Sequence, residues 1–259
     1  MPFVISRKTV DPSCLLTSFC DGATAVVVGA SGGIGSAVVH QLAQSPKMRR
    51  VLALSRVPDE MGGKVKSGRI NLEDESSIEA AASLASEVLG EIHLIFVATG
   101  ILHDGRIKPE KALRSIDPAS ISRVFAVNAT GPALVAKHFA PLMPRLEKAV
   151  FAVLSARVGS IADNELGGWY AYRASKAALN QFIRTTAIEM ARKRGQAVFL
   201  TLHPGTTDTP LSRPFQSGVP EGKLFTPHYS ANRLLQVVNQ SDREDSGKLI
   251  AWDGAELPY

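Results

Sequence analysis

The sequence predicts a single α/β domain: a doubly wound parallel sheet of about seven strands with helices on both faces. Three observations carry this. Apolar, β-branched runs alternate with stretches of helical periodicity along the chain. The strand-like runs are apolar throughout rather than alternating, as strands covered on both faces must be. The chain has 259 residues, 45% hydrophobic and 20% charged, which is ordinary globular usage and enough for one large core.

The elements follow in order. ATAVVVGA, from Ala23 to Ala30, is the first buried strand, and IGSAVVHQLAQ continues it as a helix. VLALS, from Val51 to Ser55, is a second strand and RINL, from Arg69 to Leu72, a short third. A helix opened by Asp74 and closed by Gly90 comes next, because Asp accepts from free amides at a helix start and Gly tolerates the turn at its end. His93 to Thr99 forms a fourth strand, and one long helix starts near Pro118. Ala149 to Ser155 is the fifth strand, followed by a helix running to about Arg194. Ala197 to His203, a helix over Ser230 to Gln240, and a last strand KLIAW complete the pattern. The expected division is an extension over residues 1–22 and one domain over residues 23–259. No linker, repeat or low-complexity segment interrupts it.

Composition narrows the function classes. No apolar run approaches the length of a membrane span, and the first residues, interrupted by Asp11 and Pro12, do not read as a secretory signal. A cytoplasmic protein with no membrane partner is therefore expected. Cys14 and Cys20 are the two cysteines; they are near enough in sequence to bridge, but two thiols in such a chain are more often free. The net charge is +5, with Lys47, Arg49, Arg50, Arg56, Lys64, Lys66 and Arg69 close together. This cluster reads either as a solvated face or as an attractor for an anionic ligand. No aromatic platform or recognition module accompanies it, so nucleic acid is not expected as a partner. No metal site is expected.

The segment VGASGGIG places Gly29, Gly33 and Gly35 between the first strand and first helix, with Ser31, Gly32 and Ile34 among them. Glycines there let the backbone approach a pyrophosphate, which then rests on the helix N-terminus. At the end of the second strand an acidic residue would bind a free ribose 2′-hydroxyl, whereas a cation suits a 2′-phosphate. The strand ends in Ser55 and Arg56, with no carboxylate before Asp59. NADP(H) is therefore favoured over NAD(H).

GGWYAYRASKAALN contains Tyr170, Tyr172 and Lys176. Residues four apart share a helix face, with Cβ atoms about 6 Å apart, whereas residues six apart do not. Lys176 therefore pairs with Tyr172. An ammonium beside a phenol lowers its pKa, so Tyr172 is expected to be a proton donor usable near neutral pH. Taken alone, a pair at this spacing is more often surface packing, since such pairs are common by chance.

Together these motifs resemble the short-chain dehydrogenase/reductase superfamily. The glycine pattern matches, with Val28 where threonine is usual. Ala98-Thr99-Gly100 is similar to the family's NAG motif, Asn128 to its helix asparagine, and Tyr172 with Lys176 to YxxxK. Pro204-Gly205-Thr206-Thr207-Asp208-Thr209 resembles PGxVxT, with Thr207 in the valine position. GILHDG, PEK (Pro109 to Lys111), GGWYAYRASKAALN and DSGKLIAWDG look like the C-factor-like subgroup, and the tyrosine helix is similar to that of sniffer-type carbonyl reductases.

The resemblance implies a Rossmann-like fold and hydride transfer between a nicotinamide coenzyme and a carbonyl or alcohol substrate. Tyr172 would supply the proton, Lys176 would bind the nicotinamide ribose, and Asn128 would hold a water that relays protons to Lys176. Ser55 and Arg56 would face the 2′-phosphate, and Asn71 and Leu72 the adenine, with Asn71 where the family often has aspartate. Thr207 and Thr209, with Pro204 and Gly205, would touch the carboxamide and phosphates. Pairing of the long helices implies a homodimer or homotetramer. Some subgroup members are linked to developmental signalling, so a nucleotide-binding regulatory protein is the alternative.

One residue departs from the family pattern. The family's catalytic serine stands three positions before a glycine, here Gly159, which selects Ala156. Ser155 is one position early, and a one-residue slip along a strand reverses a side chain. Either the chain shifts to bring Ser155 onto the substrate oxygen, the arrangement we expect, or Ala156 holds the family position and Tyr172 works alone. Ser160 is a weaker substitute. Phe215, Leu224 and Phe225, in the segment after Thr209, would line the substrate site or pack it shut.

Overall fold

A computed structural model describes residues 10–11 and 14–259. Its centre is an eight-stranded sheet in the order β10-β9-β6-β5-β4-β1-β2-β3. The strands are β1 (Ala23–Val28), β2 (Met48–Ser55), β3 (Val65–Arg69), β4 (Leu94–Val97), β5 (Ala149–Leu154), β6 (Ala197–His203), β9 (Leu249–Ala251) and β10 (Glu256–Leu257). A separate two-stranded piece pairs β7 (Thr206–Thr207) with β8 (Leu224–Phe225). The helices are α1 (Gly33–Gln44), α2 (Glu75–Leu89), α3 (Pro118–Phe125), α4 (Gly131–Phe139), α5 (Tyr170–Met190) and α6 (Pro227–Gln240).

Side-chain alternation divides the core in two. Val26, Val28, Phe151, Val153 and Phe199 face one side of the sheet, with Ile78, Val135, Leu179 and Ile183 of the covering helices. Val27, Phe96, Val150, Leu200 and Leu202 face the other, with Val38, Leu42, Leu234 and Val238. Both faces are buried, which explains the continuous apolar runs. Leu15, Leu16 and Phe19 join the second cluster, so this part of the extension belongs to the core.

The structure adjusts four sequence expectations. The third strand lies at Val65–Arg69 rather than Arg69 to Leu72, because pairing with β2 runs from Val51 opposite Val65 to Ser55 opposite Arg69. The sheet gains β10, antiparallel to β9, a strand too short for periodicity to show. The long helix is interrupted by a π-helical turn over Ala126–Thr130. The tyrosine helix ends at Met190 rather than Arg194.

Parallel order reverses between β1 and β4, so crossovers leave in opposite directions and open a crevice at the strands' C-terminal ends. The glycine segment follows β1 and Ala98-Thr99-Gly100 follows β4, placing them on the two sides of that crevice.

Candidate active site

The loop after β1 is shaped by close backbone approach. Gly29 has φ +86°, and a Cβ there would lie 2.9 Å from Thr99 Cγ2. A Cβ on Gly35 would collide with the Gly29 carbonyl oxygen. A side chain is excluded at Gly35 by backbone, and at Gly29 by the positive φ and the Thr99 side chain. Gly32 caps α1 without a side-chain hydrogen bond, so the first amides of the helix are directed at the crevice. Ser31 and Gly32 are exposed, and Ile34 packs partly against the core. Across the crevice, a Cβ on Gly33 would lie 2.8 Å from Thr209 Cγ2, so Thr209 closes over the glycine loop. Thr207 is buried and its hydroxyl bonds that of Ser230 at 2.7 Å, while Ser230 Oγ also donates to the Pro204 carbonyl at 3.3 Å. Gly205 lies against Phe225 and Trp252.

These residues fit a dinucleotide in two respects. The loop has no room for side chains where a phosphate must approach, and the buried Thr99 Oγ1 has no hydrogen-bond partner among the described residues. A buried hydroxyl without a partner is costly and suits a ligand atom.

At the second strand the expectations need correction. Ser55 is buried and donates its hydroxyl to Val57 O at 2.6 Å, so it is not free for a phosphate. Asn71 accepts from Glu73 N at 3.2 Å in a local turn, and Leu72 is buried beneath Gly131. Arg56 is exposed. The basic cluster disperses: Arg49 and Arg50 donate to Leu89 O and Val88 O at the end of α2, Lys64 to Ser45 O, and Lys47 to Asp21. Those four serve the fold. Arg69 is in register with Ser55, the residue before Arg56.

Tyr172 and Lys176 lie buried on one face of α5, with Lys176 Nζ 5.8 Å from the Tyr172 ring centroid. Lys176 donates to Leu154 O at 2.8 Å. A Cβ on Gly100 would lie 3.7 Å from Lys176 Nζ and 3.6 Å from Asn128 Oδ1, so the loop after β4 joins the same pocket. The expected lowering of the tyrosine pKa is not found. Burial pushes Tyr172 up to about 12 and Lys176 down to about 7. Desolvation by burial favours the neutral form of each group. Tyr172 therefore holds its proton.

Asn128 is buried. Its Nδ2 donates to Ile101 O at 2.8 Å and Ser175 Oγ at 3.1 Å, and its Oδ1 accepts from Ile101 N at 2.7 Å. Ser175 Oγ in turn donates to Tyr172 O at 2.8 Å. The side-chain amide ties the β4 loop to α5. The π-helical turn that carries it is a feature often found at functional sites.

Ser155 does not reach toward the substrate side. Its hydroxyl donates to Asn180 Oδ1 at 2.7 Å, with both side chains buried. Ala156 is extended, at φ −154° and ψ 152°, so its methyl points the opposite way. Ser160 accepts from Asp163 N at 3.1 Å.

The segment after Thr209 contributes one ring. Phe215 packs on Trp169 at 5.0 Å and His103 at 5.6 Å, and Trp169 packs edge-on against Tyr172 at 6.2 Å. Phe225 instead packs on Tyr229 and Trp252, and Leu224 is exposed. Sequence reasoning missed His103 as a site residue and did not place the Trp169 ring on Tyr172. The signal for Trp169 was Gly167-Gly168 before it, since all three residues have positive φ.

At the opposite end of the strands, ligand atoms of Cys20, His93 and Glu147 lie within 4.8 Å of one another. Thr24 N donates to His93 Nδ1 at 3.3 Å, leaving Nε2 to donate to Glu147 at 3.0 Å. The cluster satisfies itself by hydrogen bonds. Neither cysteine is in a disulfide, and among the described residues no helix is long and apolar enough to cross a membrane.

A doubly wound sheet with a glycine cradle at its switch point and a buried Tyr–Lys pair across the crevice defines a dinucleotide-dependent oxidoreductase. Residues 23–219 match the family described as short chain dehydrogenase, and the chain belongs to that family. It is 35% identical over 148 residues to the C-signal protein of Myxococcus xanthus, covering 57% of this chain and 84% of that one. It is 30% identical over 238 residues to the 1-hydroxy-2-glutathionyl-2-methyl-3-butene dehydrogenase of Rhodococcus sp. strain AD45, covering 91% and 99%. The fold is similar to that of the NADPH-bound carbonyl reductase from chicken fatty liver, with a TM-score of 0.83 at 23% identity, covering 98% of this chain and 100% of that one.

Proposed function

We propose that this chain is an NADP(H)-dependent reductase of a carbonyl substrate, or dehydrogenase of the corresponding alcohol. The observation that carries the reading is the buried Tyr172–Lys176 pair on one helix face beside Gly100, opposite the glycine cradle. The loop Gly29 to Gly35 would hold the pyrophosphate on the N-terminus of α1. Arg56 and Arg69 would face the 2′-phosphate, and Thr99 and the Thr207–Thr209 loop would complete the cradle. When bound, the coenzyme supplies or accepts a hydride at the carbonyl carbon. Tyr172 would give its proton to the substrate oxygen in reduction and take it back in oxidation. Lys176, anchored on Leu154 O, would place its ammonium or amine beneath the phenol. Trp169 and Phe215 would shield the site from water.

The presence of C-signal among the relatives and the absence of a serine at position 156 support one other reading, a nucleotide-binding signalling protein with little turnover. Turnover of a panel of carbonyl compounds with NADPH and with NADH, beside binding titrations of both, separates the two. Reduction with NADPH preferred supports the enzyme; tight NADPH binding without turnover on any carbonyl overturns it.

The protein is proposed to be cytoplasmic and a homodimer or homotetramer. α5 leaves Phe182 exposed, an apolar contact available to a copy of the helix.

A further inference from the structure

The start of α5 is held by a residue far away in sequence. Trp169, the residue capping this helix, has no capping side chain and takes a left-handed conformation at φ 51°. Free amides at a buried helix start need an acceptor. Glu110 supplies two: its carbonyl oxygen accepts from Trp169 N at 2.6 Å, and its side-chain Oε2 accepts from Ala171 N at 3.1 Å. Glu110 is 5% exposed, which is rare for a carboxyl side chain without such partners. The segment that carries it is itself fixed. Asp104 accepts from the amides of Arg106 and Ile107, and Arg123 of α3 donates to Asp104 at 2.6 Å. Ile107 packs with Val124 and Ala171 in a small apolar cluster under the same helical turn.

We propose that Glu110 is a positioning residue for the proton donor: its clasp on Trp169 and Ala171 sets the turn that carries Tyr172 and seats the Trp169 indole between Tyr172 and Phe215. The inference rests on the reading of Tyr172 as the proton donor. Tyr172 directly follows the clasped Ala171, and its ring is the one Trp169 packs against. A small displacement of this turn moves the phenol relative to the substrate oxygen while leaving the glycine cradle, on the other side of the crevice, in place.

The test compares Glu110→Ala, Glu110→Gln and Tyr172→Phe, each in the full chain. The sequence has two tryptophans, so a Trp252→Phe background makes Trp169 emission a report on the clasp that needs no turnover. Glu110→Ala is expected to lower kcat about 10–100-fold, as a misplacement near 1 Å does, to shift Trp169 emission, and to leave NADPH affinity within about twofold. Glu110→Gln keeps an oxygen for the Ala171 amide and should restore most of the rate and the emission. If Glu110→Ala does not fold, Glu110→Asp, one methylene shorter, must show the same fall in kcat with NADPH affinity kept. The proposal is overturned if Glu110→Ala leaves rate and emission unchanged while Tyr172→Phe abolishes turnover. It is equally overturned if rate, NADPH affinity and melting temperature fall together in the Ala and Gln variants. An unaffected rate in Tyr172→Phe overturns the proton-donor assignment instead, and with it the positioning role.

Discussion

Ser155 donates its hydroxyl to Asn180 Oδ1 at 2.7 Å across the interface between β5 and α5. This bond takes the only hydroxyl of LSARVG out of the substrate site and leaves Ala156 at the position where the family carries its catalytic serine. Ser155→Ala should leave carbonyl reduction nearly unchanged while destabilising the fold by about 1–3 kcal/mol, because a buried acceptor loses its donor. Ala156→Ser should raise kcat, by up to ~10²-fold, if its hydroxyl meets the developing oxyanion. Steady-state kinetics and denaturant melts of both variants check this, and loss of turnover in Ser155→Ala alone would reverse the assignment.

Tyr172→Phe should lower kcat by ~10² or more, as loss of a positioned general acid does, with NADPH affinity nearly kept. Tyr170→Phe should be mild, since Tyr170 is 38% exposed. The Trp169 ring packs on Tyr172. Kinetics of the two variants on one accepted substrate decide between the tyrosines.

NADPH should bind more tightly than NADH. Arg56→Ala should remove roughly 1.5–3 kcal/mol of that preference, the scale of a charge-assisted hydrogen bond. Arg69→Ala should remove a smaller part. Titration of each variant with both coenzymes measures it; equal affinity of the unmodified protein for the two would refute the assignment.

Burial of the Tyr–Lys pair makes stability depend on pH in a stated direction. Lys176 falls from 10.5 to about 7 on folding. Between these values the unfolded chain binds the extra proton, so its contribution to stability rises with pH, by at most about 1.4 kcal/mol per pH unit. Tyr172 rises from 10.0 to about 12, so above pH 10 the unfolded chain loses its proton first and that contribution falls. Lys176→Met should flatten the rise between pH 7 and 10 in coenzyme-free thermal melts. An unchanged slope would show that the lysine is charged in the folded protein.

Light scattering at micromolar concentration should give the mass of a dimer or tetramer. Phe182→Glu should shift it toward the monomer.

Much of this protein is written in short spacings. The apolar run of β1, the glycines that follow it and the four-residue interval between Tyr172 and Lys176 are readable because strand and helix geometry tie neighbours in sequence to neighbours in space. Tertiary packing decided what spacing cannot encode. It turned Ser155 onto Asn180 and sent Arg49 and Arg50 to the end of α2. It placed Leu15, Leu16 and Phe19 in the core and brought Glu110 to the start of α5. Each of these depends on which elements lie side by side and on burial, which favours partners for polar groups and neutral forms for Tyr172 and Lys176.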